Sequence, residues 1–220
     1  MPYGVAVESV EAARRALAGF ARRTPLVPWV SGSELVGGAV LLKCENLQVG
    51  GAFKVRGAYT FLARRSPAER ARGVVTYSSG NHGRAVALAA RAFGVRAVVA
   101  VPEDIPRAKR AAILGAGAEV VEAGRTSLER QRRAEAIARE TGALVVPSFD
   151  DPDVVAGQGT VALEILDELP DVGTVVVPVG GGGLVAGIAV AVKARRPGAR
   201  VVGVEPAGAA AMRASLDAGR

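Results

Sequence analysis

Thr174-Val175-Val176-Val177-Pro178-Val179-Gly180-Gly181-Gly182-Gly183-Leu184 is a strand that runs into a glycine turn and leaves it as a helix. The valines are consecutive rather than alternating, the pattern expected of a parallel strand covered on both faces. Four glycines in a row cost chain entropy and bring no side chain to pack, so a close backbone approach to a phosphate is their natural explanation. Outward from this stretch the same alternation repeats. Strands are expected at Val40 to Cys44, Val74 to Tyr77, Ala97 to Val101, Glu119 to Glu122, Leu144 to Val146, Thr174 to Val179 and Arg200 to Val204. Helices are expected at Val10 to Arg22, Lys54 to Arg64, Asn81 to Phe93, Arg107 to Leu114, Ser127 to Glu140, Val154 to Leu166, Leu184 to Arg195 and Ala207 to Leu216. Strands and helices at this spacing give an α/β fold built on mostly parallel sheet.

The chain has 220 residues, half of them hydrophobic, enough for one large or two small domains with a substantial core. Its net charge is +7, yet lysine stands only at positions 43, 54, 109 and 193, and the arginines are scattered. Arg130, Arg132, Arg133 and Arg139 alternate with Glu129, Glu135 and Glu140, which reads as a solvated helix face and not as a nucleic-acid surface. No apolar run reaches membrane-spanning length, and the acids between Glu8 and Arg23 are foreign to a transit peptide. A single cysteine, Cys44, excludes an internal disulfide and a multi-thiolate zinc site. The expectation is a cytoplasmic protein that binds neither nucleic acid nor membrane.

Two further motifs carry chemistry. In Phe53-Lys54-Val55-Arg56-Gly57-Ala58 a lysine follows Gly50 and Gly51 and opens a helix; beside Phe53 and a polarised helix start, its amine would titrate low, as a Schiff-base or general-base amine must. Taken alone, the plainer reading is an ordinary surface lysine. Tyr77-Ser78-Ser79-Gly80-Asn81-His82-Gly83 joins a buried strand to a helix, where free backbone N–H groups suit a carboxylate or phosphate. Ser79 also reads as a helix cap, Asn81 as a turn residue, and His82 as a structural donor. A rival reading takes Gly181, Gly183 and Ala186 as a dinucleotide fingerprint, with Glu205 as the ribose-binding acid.

Together, in this order and spacing, the three motifs resemble fold-type II pyridoxal-phosphate enzymes, closest to the threonine/serine dehydratase and serine racemase branch. Phe149-Asp150-Asp151-Pro152, Ala156-Gly157-Gln158-Gly159-Thr160 and Gly203-Val204-Glu205-Pro206 extend the resemblance over nearly the whole chain. It implies a tryptophan synthase β-like architecture, with a small α/β domain at 45–148 inserted in a large domain formed by 1–44 and 149–220. It implies pyridoxal 5'-phosphate linked to Lys54, with Phe53 beside its ring, Asn81 on its phenolic oxygen, and Gly180, Gly181, Gly182, Gly183 and Leu184 around its phosphate. Ser78, Ser79, Gly80 and His82 would bind the carboxylate of an amino-acid substrate, with Ser79 where racemases keep a second proton donor.

The implied reaction is β-elimination of threonine or serine to a 2-keto acid and ammonia. Racemisation or another reaction of this fold type is the first alternative; a non-catalytic cofactor- or partner-binding remnant is the second. The resemblance also implies a homodimer or higher homo-oligomer. Three departures stand out. Ala52 replaces the family's usual serine, and Val49-Gly50-Gly51 its usual Lys-Thr-Gly. The branch's cation site would fall on Glu205, Ala209 and Ala211, without the required aspartate, so no metal is expected. The large domain is expected to be incomplete at the C-terminus, leaving no residue to assign to the pyridine nitrogen.

Overall fold

The computed structural model describes residues 4–219. After α1 (Val7–Ala16), strands β1 (Leu26–Pro28) and β2 (Leu41–Lys43) pair antiparallel around the short helix α2 (Val30–Val36). Two 3-10 turns, Glu45–Leu47 and Val49–Gly51, lead into α3 (Lys54–Ala63). The order continues α4 (Pro67–Ala71), β3 (Val74–Tyr77), α5 (Asn81–Ala92), β4 (Ala97–Val101), α6 (Arg107–Gly115), β5 (Glu119–Glu122), α7 (Ser127–Thr141), β6 (Leu144–Val145) and α8 (Pro152–Glu168). The last elements are β7 (Thr174–Pro178), α9 (Gly183–Arg195), β8 (Arg200–Val204), the 3-10 turn Ala207–Ala209 and α10 (Ala211–Asp217).

Strands β3 to β6 form one parallel sheet in the order β5-β4-β3-β6, and β7 pairs parallel with β8. Every residue of β4 is buried, as a continuous apolar run inside a helix-covered sheet requires. β7 departs from expectation: Val175 and Val177 are buried, but Val176 is 64% exposed. One face of the β7–β8 pair is open, so an unbroken apolar run alone does not establish two-sided cover.

Helix α3 crosses α8 at a contact that only glycine permits. A Cβ on Gly157 would lie 2.5 Å from the Arg56 carbonyl oxygen, and one on Gly57 would lie 2.4 Å from Nε2 of Gln158. Arg64 and Arg65, at the far end of α3, donate to the Asp153 carboxylate in the first turn of α8. These ties set the helix that begins at Lys54 firmly against α8.

Several boundaries differ from the sequence reading. α1 begins at Val7 and ends at Ala16, since residues 17–20 form turns ahead of Arg23-Thr24-Pro25. The helix expected from Ala207 divides into a 3-10 turn and α10. β1, α2 and α4 were not anticipated. α4 is a five-residue helix whose Ser66 and Glu69 form a reciprocal capping box. Among the described residues no helix is long and apolar enough to cross a membrane.

Candidate active site

Lys54 is the first residue of α3 and follows Gly50 and Gly51, whose φ angles of 77° and 75° lie where a side chain would be strained. Its amine turns inward and donates to the Ser148 carbonyl oxygen at 2.6 Å. Nζ lies 5.3 Å from the centre of the Phe53 ring. The amine's pKa is lowered from its ordinary value, and the cause is burial. The sequence reading had credited the helix start and Phe53; desolvation is the operative effect. Lys54 is therefore not an ordinary surface lysine.

The second motif opens α5. Ser78 Oγ accepts from the Gly80 amide at 3.1 Å, which shapes the turn, and Ser79 and Asn81 are exposed. The helix starts at Asn81 after Gly80, and no side chain caps it, so the cap reading of Ser79 does not hold. Its first N–H groups remain free for an external acceptor. His82 lies inside, 5% exposed, with Nε2 3.1 Å from the Val146 carbonyl oxygen. Nε2 donates there, and Nδ1 is buried and without a partner among the described residues. Burial lowers the His82 pKa to about 4. The ring is thus a structural donor to the Val146 carbonyl.

The third motif opens α9 at Gly183, again without a side-chain cap. Here the sequence reading needs correction, because these glycines do have packing contacts. A Cβ on Gly181 would lie 2.1 Å from Cδ1 of Phe149, and one on Gly183 would lie 2.9 Å from the Phe149 carbonyl oxygen. Gly182 has φ of 88° and passes beside Met212. Only Gly180 has open space where a Cβ would stand.

These contacts converge on one short segment, of which the sequence analysis named Phe149 but gave Val146 and Ser148 no role in the site. Between Val146 and Phe149 the chain meets His82 at Val146, Lys54 at Ser148 and the glycine turn at Phe149. Thr76 on β3 also donates to the Val146 carbonyl at 2.8 Å, which fixes the segment to the sheet. Two residues farther on, Asp151 caps α8 by accepting from the amides of Asp153 and Val154, with Pro152 at the first helical position. Asp-Pro after an apolar strand was the visible signal for this helix start.

Behind Lys54 lies a buried ionic cluster. The Arg56 guanidinium, 1% exposed, pairs with both oxygens of Glu45 and both oxygens of Glu164. Lys43 Nζ meets Glu164 at 2.6 Å. Glu205, the acid of the dinucleotide reading, is engaged elsewhere: its carboxylate accepts from the amides of Met212 and Arg213 at the start of α10. That leaves the rival reading without its ribose acid.

A buried amine of lowered pKa and two uncapped, glycine-flanked helix starts joined by one segment fit a phosphorylated carbonyl cofactor. The profile of the family described as pyridoxal-phosphate dependent enzyme matches residues 17–220. The chain belongs to this family. An L-threonine ammonia-lyase of Thermotoga maritima is 45% identical over 216 residues, covering 98% of this chain and 54% of that protein. The structure of maize serine racemase superposes with a TM-score of 0.96 at 35% identity, over 99% of this chain and 66% of that one. Threonine deaminase isoform 2 of Solanum lycopersicum gives 0.91 at 37% identity, over 97% and 58%. The chain thus spans about half the length of the curated relative. As a member of the pyridoxal-phosphate family, it has the mixed α/β architecture of the fold-type II enzymes.

Proposed function

We propose that this chain forms the cofactor- and substrate-binding part of a lyase that removes the β-hydroxyl and amino groups of threonine or serine, giving a 2-keto acid and ammonia. The observation that carries the reading is the Lys54 amine, buried and held on the Ser148 carbonyl within a segment that also meets His82 and the glycine turn. The threonine ammonia-lyase relative supports this reaction over racemisation, since it is the more similar in sequence.

In this reading Lys54 would hold pyridoxal phosphate covalently, with Phe53 beside its ring and Asn81 as the partner of the ring's oxygen. The amides of Gly180 to Leu184, at the start of α9, hold the phosphate. The turn of Ser78, Ser79 and Gly80, with the His82 amide, binds the substrate carboxylate. When bound, the cofactor supplies an electron sink for the charge left on Cα as its proton departs. The Lys54 amine would be the base that takes that proton, and burial lowers its pKa toward the range a base needs. Ser79, exposed on the turn, would be the second proton donor of the racemase alternative. The two-domain division at residues 45 and 148, a cytoplasmic location and self-association belong to the same proposal.

The test is absorbance on adding pyridoxal phosphate to the chain and to Lys54→Ala, followed by borohydride reduction and peptide mapping. A visible band absent from the variant, with the label on Lys54, supports the assignment. Keto-acid release from threonine or serine then tests the reaction. Absence of both band and label in the unaltered chain sinks it.

A further inference from the structure

The first turn of α3 has no side-chain cap: Phe53 precedes Lys54 and offers none, and two glycines of positive φ stand just before it. Apolar packing of Val55 gives this turn cohesion, but such contact is non-directional and lets a helix slide or roll. Arg64 and Arg65 tie the far end of α3 to Asp153, and at its first turn the directional restraint comes from Arg56. Its Nε and Nη2 donate to the two oxygens of Glu45, each at 2.8 Å. Nη1 and Nη2 donate to the two oxygens of Glu164 at 2.6 and 3.1 Å. Nη1 also reaches Thr160 Oγ1, and Nη2 the Arg22 carbonyl. One planar fork therefore binds the turn before α3, the middle of α8 and the loop after α1.

The partners are fixed in turn. Thr24 Oγ1 donates to Glu45 at 2.6 Å, and Lys43 Nζ reaches both Glu164 and the Thr24 carbonyl. Two cations face two carboxylates, so the cluster adds no net charge near Lys54. Residues two apart on a helix point to opposite sides. Arg56 thus grips the back of the turn whose front presents Lys54.

We propose that Arg56 is a positioning residue for Lys54: its double carboxylate clamp fixes the first turn of α3 and so aims the Lys54 amine at the Ser148 carbonyl. The amine's use by a cofactor rests on the function proposed above; its aim does not. Replacing arginine by lysine keeps the charge but loses the fork, since an ammonium cannot make two bidentate pairs. His82 on α5 is the ionisable group coupled to Lys54 by charge, and Arg56 and its partner Glu45 lie on the same turn and before it. None of these changes charge in Arg56→Lys.

The test is competitive acetylation of the four lysines across pH in the unaltered chain, Arg56→Lys and Arg56→Ala, read by peptide mass spectrometry with Lys109 and Lys193 as references, beside thermal melts. In Arg56→Lys the Lys54 profile is expected to move about one pH unit or more toward those references, while the melt stays cooperative. In Arg56→Ala millimolar guanidinium is expected to restore the original profile. It can enter through a cavity of about 240 Å³ lined by Leu17, Ala18, Ala21, Thr160 and Glu164 beside the vacated site. A Lys54 profile in Arg56→Lys that overlays the original overturns the proposal. So does a shift of all four lysines together with loss of the melt, which marks a merely structural role. Pyridoxal phosphate capture on Lys54 is scored separately: failure of the unaltered chain to capture it removes the proposed function and leaves the positioning result standing.

Discussion

The Phe149 ring lies against Gly181 so closely that a single methyl group on Gly181 would occupy the position of the ring edge. The glycine is there for the phenyl ring as much as for any anion, and this gives a first prediction. Gly181→Ala should destabilise the chain by about 1–3 kcal/mol, the usual range for overpacking, and weaken pyridoxal phosphate binding. Combining it with Phe149→Ala should recover part of the binding, because the clash is gone. Urea unfolding and cofactor titration of both singles and the double check this; a double no better than Gly181→Ala refutes it.

His82 sets an acid limit on stability. Its folded pKa of about 4 lies below the ordinary imidazole value of 6.5. Above neutrality both folded and unfolded states hold a neutral ring, and the group contributes no slope. As pH falls from 6.5 toward 4, the unfolded chain takes up a proton that the folded chain refuses, so stability falls. The loss approaches on the order of 3 kcal/mol once both forms are protonated. The chain has one histidine, so its ring resonances can be followed by NMR without ambiguity. A ring that titrates near 6.5 in the folded chain contradicts the burial argument.

Lys54 works in the opposite pH range. Its folded pKa is lowered by burial, so the folded chain releases this proton before the unfolded one does, and stability gains as pH rises between the two values. Lys54→Met should abolish that gain while eliminating cofactor capture. Denaturation at a series of pH values checks the first effect.

Glu205 discriminates between the cofactor readings. Its carboxylate accepts the first amides of α10, so Glu205→Ala should cost about 0.5–2 kcal/mol, as lost caps do. Hydrogen exchange should show the loss confined to α10, and pyridoxal phosphate capture should be unchanged. A nicotinamide dinucleotide retained by the parent and released by this variant would revive the rival.

The fold was legible in proportion to how local its causes are. β3, β4, β5 and β8 have the expected limits because short valine-rich runs bounded by polar or glycine turns leave little choice. α4 was missed although Ser66, Pro67 and Glu69 spell its capping box, because five residues carry too little periodicity. β7 misled: its valines look fully buried, yet Val176 faces outward, and only tertiary packing determines which apolar side is covered. In the site, Lys54, the turn at Asn81 and the four glycines were visible as residue types. Arg56 stood in the quoted motif unremarked, since its role needs Glu45 and Glu164, and the latter is remote in sequence. The contributions of Val146 and Ser148 had no signal, since any residue supplies a carbonyl.

That last feature determines what mutagenesis can detect. The acceptors for His82 and Lys54 belong to the main chain, so an alanine scan through Val146, Pro147 and Ser148 would leave both in place and score the segment as dispensable. Its contribution lies in the path of the backbone. Exposing it takes a change that redirects the chain, such as a one-residue insertion at Pro147, which would move the amine's acceptor and the aromatic neighbour of the glycine turn together.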